Sequence, residues 1–387
     1  MHSASFPLGL ALVPLLLSAA PLGCSGTEAA GARPVTTSGS SEGGNGGSAL
    51  GGSGGTGGSG GLAGFGGAGG ETGCPAVPAC DTAPPDPGPA EDWLQLGTPL
   101  VVLQGSPRHR GRDLLLAPDD PQWVLGKFAY GMADDDLKGE RVDLYLDRDC
   151  GGSWVKLGTA TTTYDGDHAT VEGVEDAGGQ VYFEITGTDR LDAGRHRIHM
   201  VVLGDLSSAD QIIEVIEPGT PIFVSDIDGT LTVSDTETWT ALLTGNLPQN
   251  WSSSPEALRI LAAKGLRPMY LTARPDWLDS RSREFLEAYG YPPGIMHTTL
   301  DFLGATGASA ASYKTAELAW AQGKGASIEW AFGNADTDAQ AYDNADVQPL
   351  DHRVYIGLDD PTGGGRLIQD YAELLDEFDA LPPSCTP

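Results

Sequence analysis

Two aspartates one residue apart, directly after a short apolar run, are the side chains of this sequence best suited to chemistry. Asp226 and Asp228 follow the run Pro221–Ser225, which has the composition of a buried strand. Because side chains alternate along a strand, both carboxylates point the same way from its carboxyl end, where open α/β sheets bind ligands. Carboxylates this close repel each other unless a cation lies between them. The spacing predicts a Mg²⁺-dependent phosphoryl-transfer site with an aspartate nucleophile; the alternative is a surface turn.

Other segments add groups that phosphate chemistry needs. Thr230 places a hydroxyl beside the two acids. Thr272 ends a second predicted strand, where its hydroxyl and the following N–H groups could hold a phosphate oxygen, and Arg274 offers forked donors two residues on. Lys314, predicted in the first turn of a helix, could neutralise both the nucleophile and the phosphoryl group. Each of these residues taken alone is also common on protein surfaces.

The segment A-F-G-N-A-D-T-D-A supplies oxygen ligands for a cation. Asn334 and Asp338 lie four residues apart, where a predicted strand ends and a helix begins. Their oxygens suit a hard ion such as Mg²⁺. Asp336 is expected to cap the helix, with a role as a metal ligand as the alternative.

The chain divides into four parts by composition. Residues 1–24 have the pattern of a signal peptide ending at Cys24, which resembles the lipid-attachment cysteine of bacterial lipoproteins. Residues 25–91 are rich in Gly, Ser and Pro and are expected to form a disordered tether. Residues 92–218 carry short β-rich runs between turns, which predicts an all-β, immunoglobulin-like sandwich. Residues 219–387 alternate strands and helices, which predicts an α/β, Rossmann-like domain with a mainly parallel sheet.

Two segments near the ends of the folded part carry specific expectations. Leu100–Leu103 is predicted to be the first strand of the sandwich, because it contains adjacent β-branched residues. The stretch from about Leu367 to Phe378 is predicted to be the last helix of the α/β domain.

Charge and cysteine content narrow the choice of partners. A formal net charge of −31 argues against binding to nucleic acid and against adhesion to anionic membranes by charge alone. No protein partner is evident in the sequence. Besides Cys24, four cysteines (Cys74, Cys80, Cys150 and Cys385) permit two disulfides in any of three pairings. Their closeness in sequence favours a bond between Cys74 and Cys80.

The order of these motifs resembles that of the haloacid dehalogenase superfamily of phosphatases. Within it, D-I-D-G-T-L-T-V-S-D, Y-L-T-A-R-P and F-G-N-A-D-T-D-A-Q-A-Y are most similar to the lipin-like (LNS2) domain of Mg²⁺-dependent phosphatidate phosphatases. Upstream, G-K-F-A-Y-G and R-H-R-I-H-M-V-V-L-G-D are similar to the segment before the lipin-like domain of membrane-associated phosphatidylinositol transfer proteins. The likeness covers roughly Val124 to Gly357.

The resemblance implies a role for each site residue. Asp226 would attack phosphorus to form a phosphoaspartyl intermediate, and Asp228 would protonate the leaving oxygen and then activate water. The implied metal ligands are Asp226, the backbone carbonyl of Asp228, and Asp338 with Asn334 nearby. The implied phosphate-binding residues are Thr230, Thr272, Arg274 and Lys314.

The favoured hypothesis is a Mg²⁺-dependent phosphomonoesterase acting on phosphatidate or a related lipid phosphate. Both aspartates are present here, whereas the resemblance implies that the animal transfer proteins have lost the nucleophile and sense phosphatidic acid. The alternatives are a non-catalytic module that binds phosphatidic acid or phosphoinositide, and a phosphatase for a soluble phosphate ester. The expected location is the bacterial cell envelope, with the exported chain anchored through lipid at Cys24 and a phospholipid or membrane surface as its partner.

Overall fold

The computed structural model describes residues 74–234 and 246–385. They form an all-β domain followed by an α/β domain, so the predicted fold class is confirmed. The predicted signal peptide, Cys24 and most of the predicted tether lie outside the described residues.

The β-domain consists of a five-stranded and a three-stranded sheet that share one hydrophobic core. Its strands are β1 (Arg110–Gly111), β2 (Leu114–Leu116), β3 (Gln122–Lys127), β4 (Ala129–Tyr130), β5 (Asp135–Asp136), β6 (Arg141–Asp147), β7 (Trp154–Thr161), β8 (Gln180–Ile185), β9 (Gly194–Val202) and β10 (Ser208–Val215). The sheet orders are β2-β10-β9-β6-β7 and β1-β3-β8, with β4 paired to β5. Only the β2–β10 pair is parallel among these described strands. In β6 the alternate residues Val142, Leu144 and Leu146 are buried, as a half-covered strand requires.

The expected strand at Leu100–Leu103 is wrong, because Thr98–Val102 form a short helix, α1. Pro99 lies in its first turn, where the fixed φ of proline favours helix. The buried Glu140 carboxylate accepts hydrogen bonds from the Gln95 N–H and the Thr98 hydroxyl, which fixes the start of the turn. The β-branched residues alone therefore gave a misleading signal.

The α/β domain is a six-stranded, fully parallel sheet with helices on both faces. Its strands are β11 (Pro221–Ser225), β12 (Arg267–Pro275), β13 (Ile295–Thr299), β14 (Ser327–Gly333), β15 (Arg353–Ile356) and β16 (Arg366–Ile368). Its described helices are α2 (Ser254–Ala263), α3 (Asp279–Ala288), α4 (Gly307–Gly323), α5 (Asp336–Asn344) and α6 (Leu375–Ala380). The order β13-β12-β11-β14-β15-β16 places β11 at the centre, where the chain changes direction across the sheet.

Alternation along β11 divides the interior of this domain into two cores. Phe223 joins the core formed with α2, α3 and α6, while Ile222 and Val224 join the core formed with α4 and α5. Both faces of the central strand are therefore covered, which explains its uninterrupted apolar sequence.

The last predicted helix is only partly correct. The stretch Leu367 to Phe378 begins in β16, which pairs with β15, and α6 starts only at Leu375. Between them, Asp370 accepts a hydrogen bond from the Ala372 N–H and starts a short 3₁₀ turn. Pairing with a neighbouring strand thus overrides the local helical pattern.

Two disulfides join distant parts of the chain. Cys74 is bonded to Cys385 and Cys80 to Cys150, so the expected Cys74–Cys80 bond is wrong. The reason lies in the fold: the Cys74 N–H donates to the Ala263 carbonyl, and the C-terminal segment returns to the same place at the end of α2. Closeness in sequence did not indicate closeness in space here.

Candidate active site

Neighbouring strands deliver the predicted site residues to one edge of the parallel sheet. Asp226 and Asp228 follow β11, Thr272 lies near the end of β12, and Asn334 follows β14. Because β12, β11 and β14 are adjacent and parallel, their carboxyl ends form one rim. This is the place where ligands bind in open α/β sheets.

The Lys314 ammonium lies between two buried carboxylates. Its Nζ donates to Asp226 Oδ1 at 2.7 Å and to Asp338 Oδ1 at 2.5 Å. All three side chains are almost completely buried. Lys314 was expected in the first turn of its helix but lies well inside α4, which begins at Gly307. The side chain nevertheless reaches both acids.

Burial changes the proton affinity of this cluster. It raises the pKa of Asp226 to about 7, an effect that the Lys314 charge opposes and the Asp338 and Asp228 charges reinforce. Burial opposes the charge of Lys314, but Asp226 and Asp338 outweigh it and raise the pKa of the ammonium. Two buried carboxylates thus share one ammonium, which offsets their burial and mutual repulsion only in part.

Asp228 occupies a different electrostatic environment. Arg274 holds it with two hydrogen bonds, from Nε to Oδ2 and from Nη2 to Oδ1, both at 2.8 Å. The Thr272 hydroxyl donates to Asp228 Oδ2 at 3.2 Å. Nη1 of Arg274 donates to the Ser282 hydroxyl at 2.8 Å, so each guanidinium nitrogen is engaged. Arg274 was predicted to bind phosphate, but its geometry here is that of a residue that orients Asp228.

The remaining predicted residues close the other side of the site. The Thr230 hydroxyl lies 3.1 Å from Asp226 Oδ2 and 3.2 Å from Asn334 Oδ1. Asp338 Oδ2 accepts the N–H groups of Asn334 and Ala335, both at 3.1 Å. The side chain that accepts the N–H groups at the helix start is therefore Asp338, and the expected cap by Asp336 is wrong, because Asp336 is the exposed first residue of α5.

Two supporting residues escaped the sequence analysis. A Cβ at Gly333 would lie 2.5 Å from the Cβ of Asp338, so only glycine lets the α5 loop approach this closely. The pattern marked Gly333 only as the end of a strand. Ser282, which receives Arg274, lies on α3, and no motif marks it because its role depends on how α3 packs.

The donor atoms of the site suit Mg²⁺ in kind. The acids Asp226 and Asp338, the Asn334 amide oxygen and the Asp228 carbonyl are hard oxygen donors, and a bound cation would offset the repulsion between the buried carboxylates. Within residues 74–234 and 246–385, no group of three or more His, Cys, Asp or Glu side chains is already arranged around a metal position.

Comparison with protein families assigns both domains. Residues 107–215 match the family model described as PITM 1-3, beta-sandwich domain. Residues 223–356 match the model described as PITM 1-3, LNS2 domain. The two matches follow the order and approximate extent of the predicted resemblance.

Similar proteins are found in animals. Membrane-associated phosphatidylinositol transfer protein 2 of Mus musculus is 30% identical over 210 residues, which is 54% of this chain and 14% of the relative. Membrane-associated phosphatidylinositol transfer protein 3 of Homo sapiens is 28% identical over 210 residues, again 54% of this chain and 20% of the relative. Protein retinal degeneration B of Drosophila melanogaster is 28% identical over 241 residues, which is 62% of this chain and 17% of the relative. The chain thus spans a fifth or less of the length of these relatives.

Solved structures add little. A superoxide reductase from Ignicoccus hospitalis has a TM-score of 0.18 and 17% identity, covering 29% of this chain and 80% of the other. A likeness at this level carries no argument about fold or function.

The comparisons contradict the predicted location. A bacterial envelope lipoprotein was expected, with a signal peptide in residues 1–24 and lipid at Cys24. The relatives are instead eukaryotic proteins, most of them named as membrane-associated, so the predicted location is wrong. None of the helices in the described ranges is long and apolar enough to cross a membrane.

The predicted resemblance itself is confirmed by both domain matches and by the relatives. This chain contains an LNS2 domain preceded by the β-sandwich domain of the PITM 1-3 family, and its homologues are membrane-associated phosphatidylinositol transfer proteins.

Proposed function

We propose that the chain is a Mg²⁺-dependent phosphomonoesterase that acts on phosphatidate or a related lipid phosphate. The observation that carries the proposal is the separation of two aspartates into different environments at the rim of one sheet. Asp226 is buried against the Lys314 ammonium, whereas Asp228 is held by the Arg274 guanidinium. Pairs of acids in unlike environments are how active sites divide nucleophilic and acid–base roles.

The residues divide the reaction between them. The ionised Asp226 attacks phosphorus, and the bond between phosphorus and the ester oxygen breaks while Asp228, which enters the step protonated, gives that oxygen its proton. Asp228 then removes a proton from water, which attacks phosphorus and releases phosphate from Asp226. Lys314 stays protonated because of its raised pKa, and it stabilises both the ionised nucleophile and the phosphoryl oxygens.

Mg²⁺ would be held by Asp226, Asp338 and the backbone carbonyl of Asp228, with Asn334 beside them. When bound, it supplies positive charge against the oxygens of the transferring group. The kind of oxygen donors and the repulsion between the buried carboxylates support this assignment.

A lipid-binding module without turnover is the second candidate. The names of the relatives favour it, because they describe phosphatidylinositol transfer rather than hydrolysis. This candidate gives no role to a second acid at the rim, since a site that only binds an anion gains nothing from two carboxylates. A phosphatase for a soluble ester remains the third candidate.

The test is phosphate release by the purified full chain. The substrates are phosphatidate in mixed micelles and a panel of soluble phosphomonoesters, each with Mg²⁺ or with a chelator. We expect Mg²⁺-dependent release from phosphatidate and a loss of at least about 10³-fold in Asp226→Asn, because the nucleophile is removed. The matched control is Asp336→Asn, the same chemical change at an exposed carboxylate on the adjacent helix.

Each result selects one candidate. Full activity of Asp226→Asn would contradict the proposed nucleophile. Phosphatidate binding without release from any ester would favour the lipid-binding module. Release from soluble esters alone would favour the third candidate.

A further inference from the structure

Three exposed apolar side chains lie beside the candidate active site, on the loop that follows β13. Leu300, Phe302 and Leu303 are 44%, 47% and 81% exposed. Trp277, on the loop that follows β12, is half-buried against them: its indole N–H donates to the Phe302 carbonyl at 2.8 Å, and the two ring centroids are 6.1 Å apart. These four residues, called here the apolar rim, lie at the carboxyl edge of the sheet.

The backbone holds the apolar rim outward. The Asp301 carboxylate accepts the Leu303 N–H at 3.0 Å, and the Ala305 N–H donates to the Ala273 carbonyl at 2.9 Å. Gly304 has a φ of +74°, and a Cβ there would lie 2.8 Å from the Ala273 oxygen. The turn therefore has a fixed shape that leaves Phe302 and Leu303 in solvent. Such exposure has a free-energy cost that a functional contact would offset.

The apolar rim adjoins the catalytic groups directly. Ala273, which anchors the turn, lies between Thr272 and Arg274, and both of these hydrogen-bond to Asp228. A surface that contacts Phe302 and Leu303 therefore meets the protein next to the phosphate position.

The β-domain extends the same surface. The Arg108 guanidinium lies 4.6 Å from the centre of the Trp277 ring. Met132, 82% exposed, belongs to a neighbouring turn, in which the Gly131 N–H donates to the Ser106 carbonyl. Both domains thus contribute apolar side chains, with one cation resting on the tryptophan.

The charges around the apolar rim favour a bilayer as the partner. Asp134 and Asp276 are both paired with Arg110, at 2.7 and 2.8 Å, and the Asp301 carboxylate within the loop accepts the Leu303 N–H. Arg108 stacked on Trp277 combines a cation with an amphipathic ring, a pairing suited to the headgroup layer above inserted Phe and Leu side chains. Because the chain as a whole carries a charge of −31, insertion rather than electrostatic attraction must hold it there.

We propose that the apolar rim, with Arg108 above it, is the surface by which this protein docks on a lipid bilayer. Phe302 and Leu303 enter the acyl region, while Trp277 and Arg108 stay among the headgroups. A lipid phosphate in that layer then lies level with the rim of the sheet that carries Asp226. The choice of a lipid phosphate as substrate rests on the proposed function; the docking itself does not.

The test is flotation of the full chain with vesicles of phosphatidylcholine, with and without phosphatidate, at low and high salt. We expect binding to both kinds of vesicle with little dependence on salt. Phe302→Ser with Leu303→Ser should weaken vesicle binding on the order of 100-fold, from the lost burial of two large apolar side chains. The matched control is Leu350→Ser, because Leu350 is 45% exposed but precedes β15, at the opposite end of the strands.

Further measurements separate docking from folding and from turnover. Leu303→Ser alone changes the most exposed side chain and should still weaken binding about tenfold. Quenching of tryptophan fluorescence by brominated lipid should fall in Trp277→Phe. Flotation of Asp226→Asn, which lacks the nucleophile, should match the unsubstituted chain, so docking is scored even if no ester is hydrolysed.

Several results would overturn the proposal. Undiminished flotation of the Phe302→Ser, Leu303→Ser variant would exclude the apolar rim, and binding abolished by high salt would exclude insertion. Failure to bind any vesicle would assign the surface to another kind of partner. If docking is observed but no ester is hydrolysed, the proposed function fails and the docking surface stands.

Discussion

Arg274 and Asp228 form the most tightly specified ion pair of the candidate site. The guanidinium is 1% exposed, donates to both carboxylate oxygens of Asp228 and donates to the Ser282 hydroxyl. Two roles for Arg274 can then be told apart kinetically. A phosphate-binding residue acts on substrate affinity, whereas a residue that orients the general acid acts on turnover.

We expect Arg274→Lys to lower kcat by about 10- to 100-fold with little change in KM, because one ammonium cannot hold both oxygens of Asp228 in place. The measurement is steady-state hydrolysis of phosphatidate in mixed micelles. Arg281→Lys is the matched control, since this arginine on α3 pairs with the largely exposed Glu284. A raised KM with unchanged kcat would instead restore the phosphate-binding role predicted from the sequence.

His109 makes the stability of the β-domain depend on pH. Its Nδ1 accepts the Ala129 N–H at 3.2 Å, and its ring packs near Phe128 and Tyr130. Burial lowers the pKa of His109 from 6.5 to about 4, against the opposing effect of the Asp205 charge. Between these values the unfolded chain binds more protons than the folded one. The stability contribution is therefore complete above pH 6.5 and is lost as pH falls towards 4.

The lowered pKa predicts that the free energy of unfolding falls by about 2 kcal/mol between pH 7.5 and pH 5 through this group alone. His109→Asn keeps an acceptor for the Ala129 N–H but does not titrate, so it should remove this part of the pH dependence. Urea unfolding of both proteins at the two pH values gives the difference. As an internal control, the free energy of unfolding should change by the same amount in the variant and in the unsubstituted chain between pH 7.5 and pH 8.5. If the free energy of unfolding fell equally in the variant and in the unsubstituted chain between pH 7.5 and pH 5, the prediction would be wrong.

At the scale of elements, the segment between β1 and β2 fixes the helix that carries Lys314. Arg112 donates to Glu317 on α4 at 2.7 Å and to the Thr298 carbonyl of β13 at 2.8 Å. Burial opposes ionisation of Glu317, but Arg112 and His297 lower its pKa to about 2. Glu317 lies one helical turn after Lys314. The β-domain thus holds in place the helix that supplies the cation of the site.

Arg112→Met should lower the free energy of unfolding by about 3 kcal/mol, at the low end for breaking a buried ion pair, because the Glu317 carboxylate keeps its contact with His297. Adding Glu317→Met should recover part of that loss. Urea unfolding of the two single variants and the double variant measures the coupling between them. Arg281→Met, which breaks a pair with a largely exposed Glu284, should cost less than about 1 kcal/mol. Strictly additive losses at Arg112 and Glu317 would show that the contact does not couple the domains.

The elements that the sequence predicted well are those whose pattern is local. The continuous apolar run of β11 was sufficient to predict that strand. By contrast, β13 is a short run that contains a histidine and two threonines, and β16 has only three residues, so neither has a period to detect. Lys314 was placed too early in its helix because the paired hydrogen bonds of Thr306 and Ser309, which start α4, were not recognised.

In the candidate site, too, the features that could be predicted are those that depend on local sequence. The positions of Asp226 and Asp338 could be predicted because they depend only on where strands end and helices begin. The direction of the Arg274 side chain could not be predicted, because it is set by hydrogen bonds to Asp228 and to Ser282, which lies on the separately packed helix α3. The pairing of the cysteines likewise depends on contacts between distant parts of the chain.

At the scale of the whole molecule, the segment from Cys74 to Cys80 is a covalent strap between the domains. Cys80 is bonded to Cys150 beside β6, whereas Cys74 is bonded to Cys385 in the C-terminal segment of the α/β domain. The Ser384 N–H donates to the Lys264 carbonyl, so this end of the strap rests on the end of α2. The domains are thus joined twice, once by the backbone near Gly219 and once through sulfur.

Cutting the backbone connection tests this second joint. A specific protease site inserted between the exposed residues Pro218 and Gly219 would divide the chain into one fragment with Cys74 and another with Cys385. Because the Cys74–Cys385 bond spans the cut, the cleaved protein should migrate as one species on a non-reducing gel and as two after reduction. Cys385→Ser should separate without reductant, whereas Cys150→Ser should not. Separation of the unsubstituted protein without reductant would instead favour the bond between Cys74 and Cys80, and would leave the buried contacts of Arg112 as the main link between the domains.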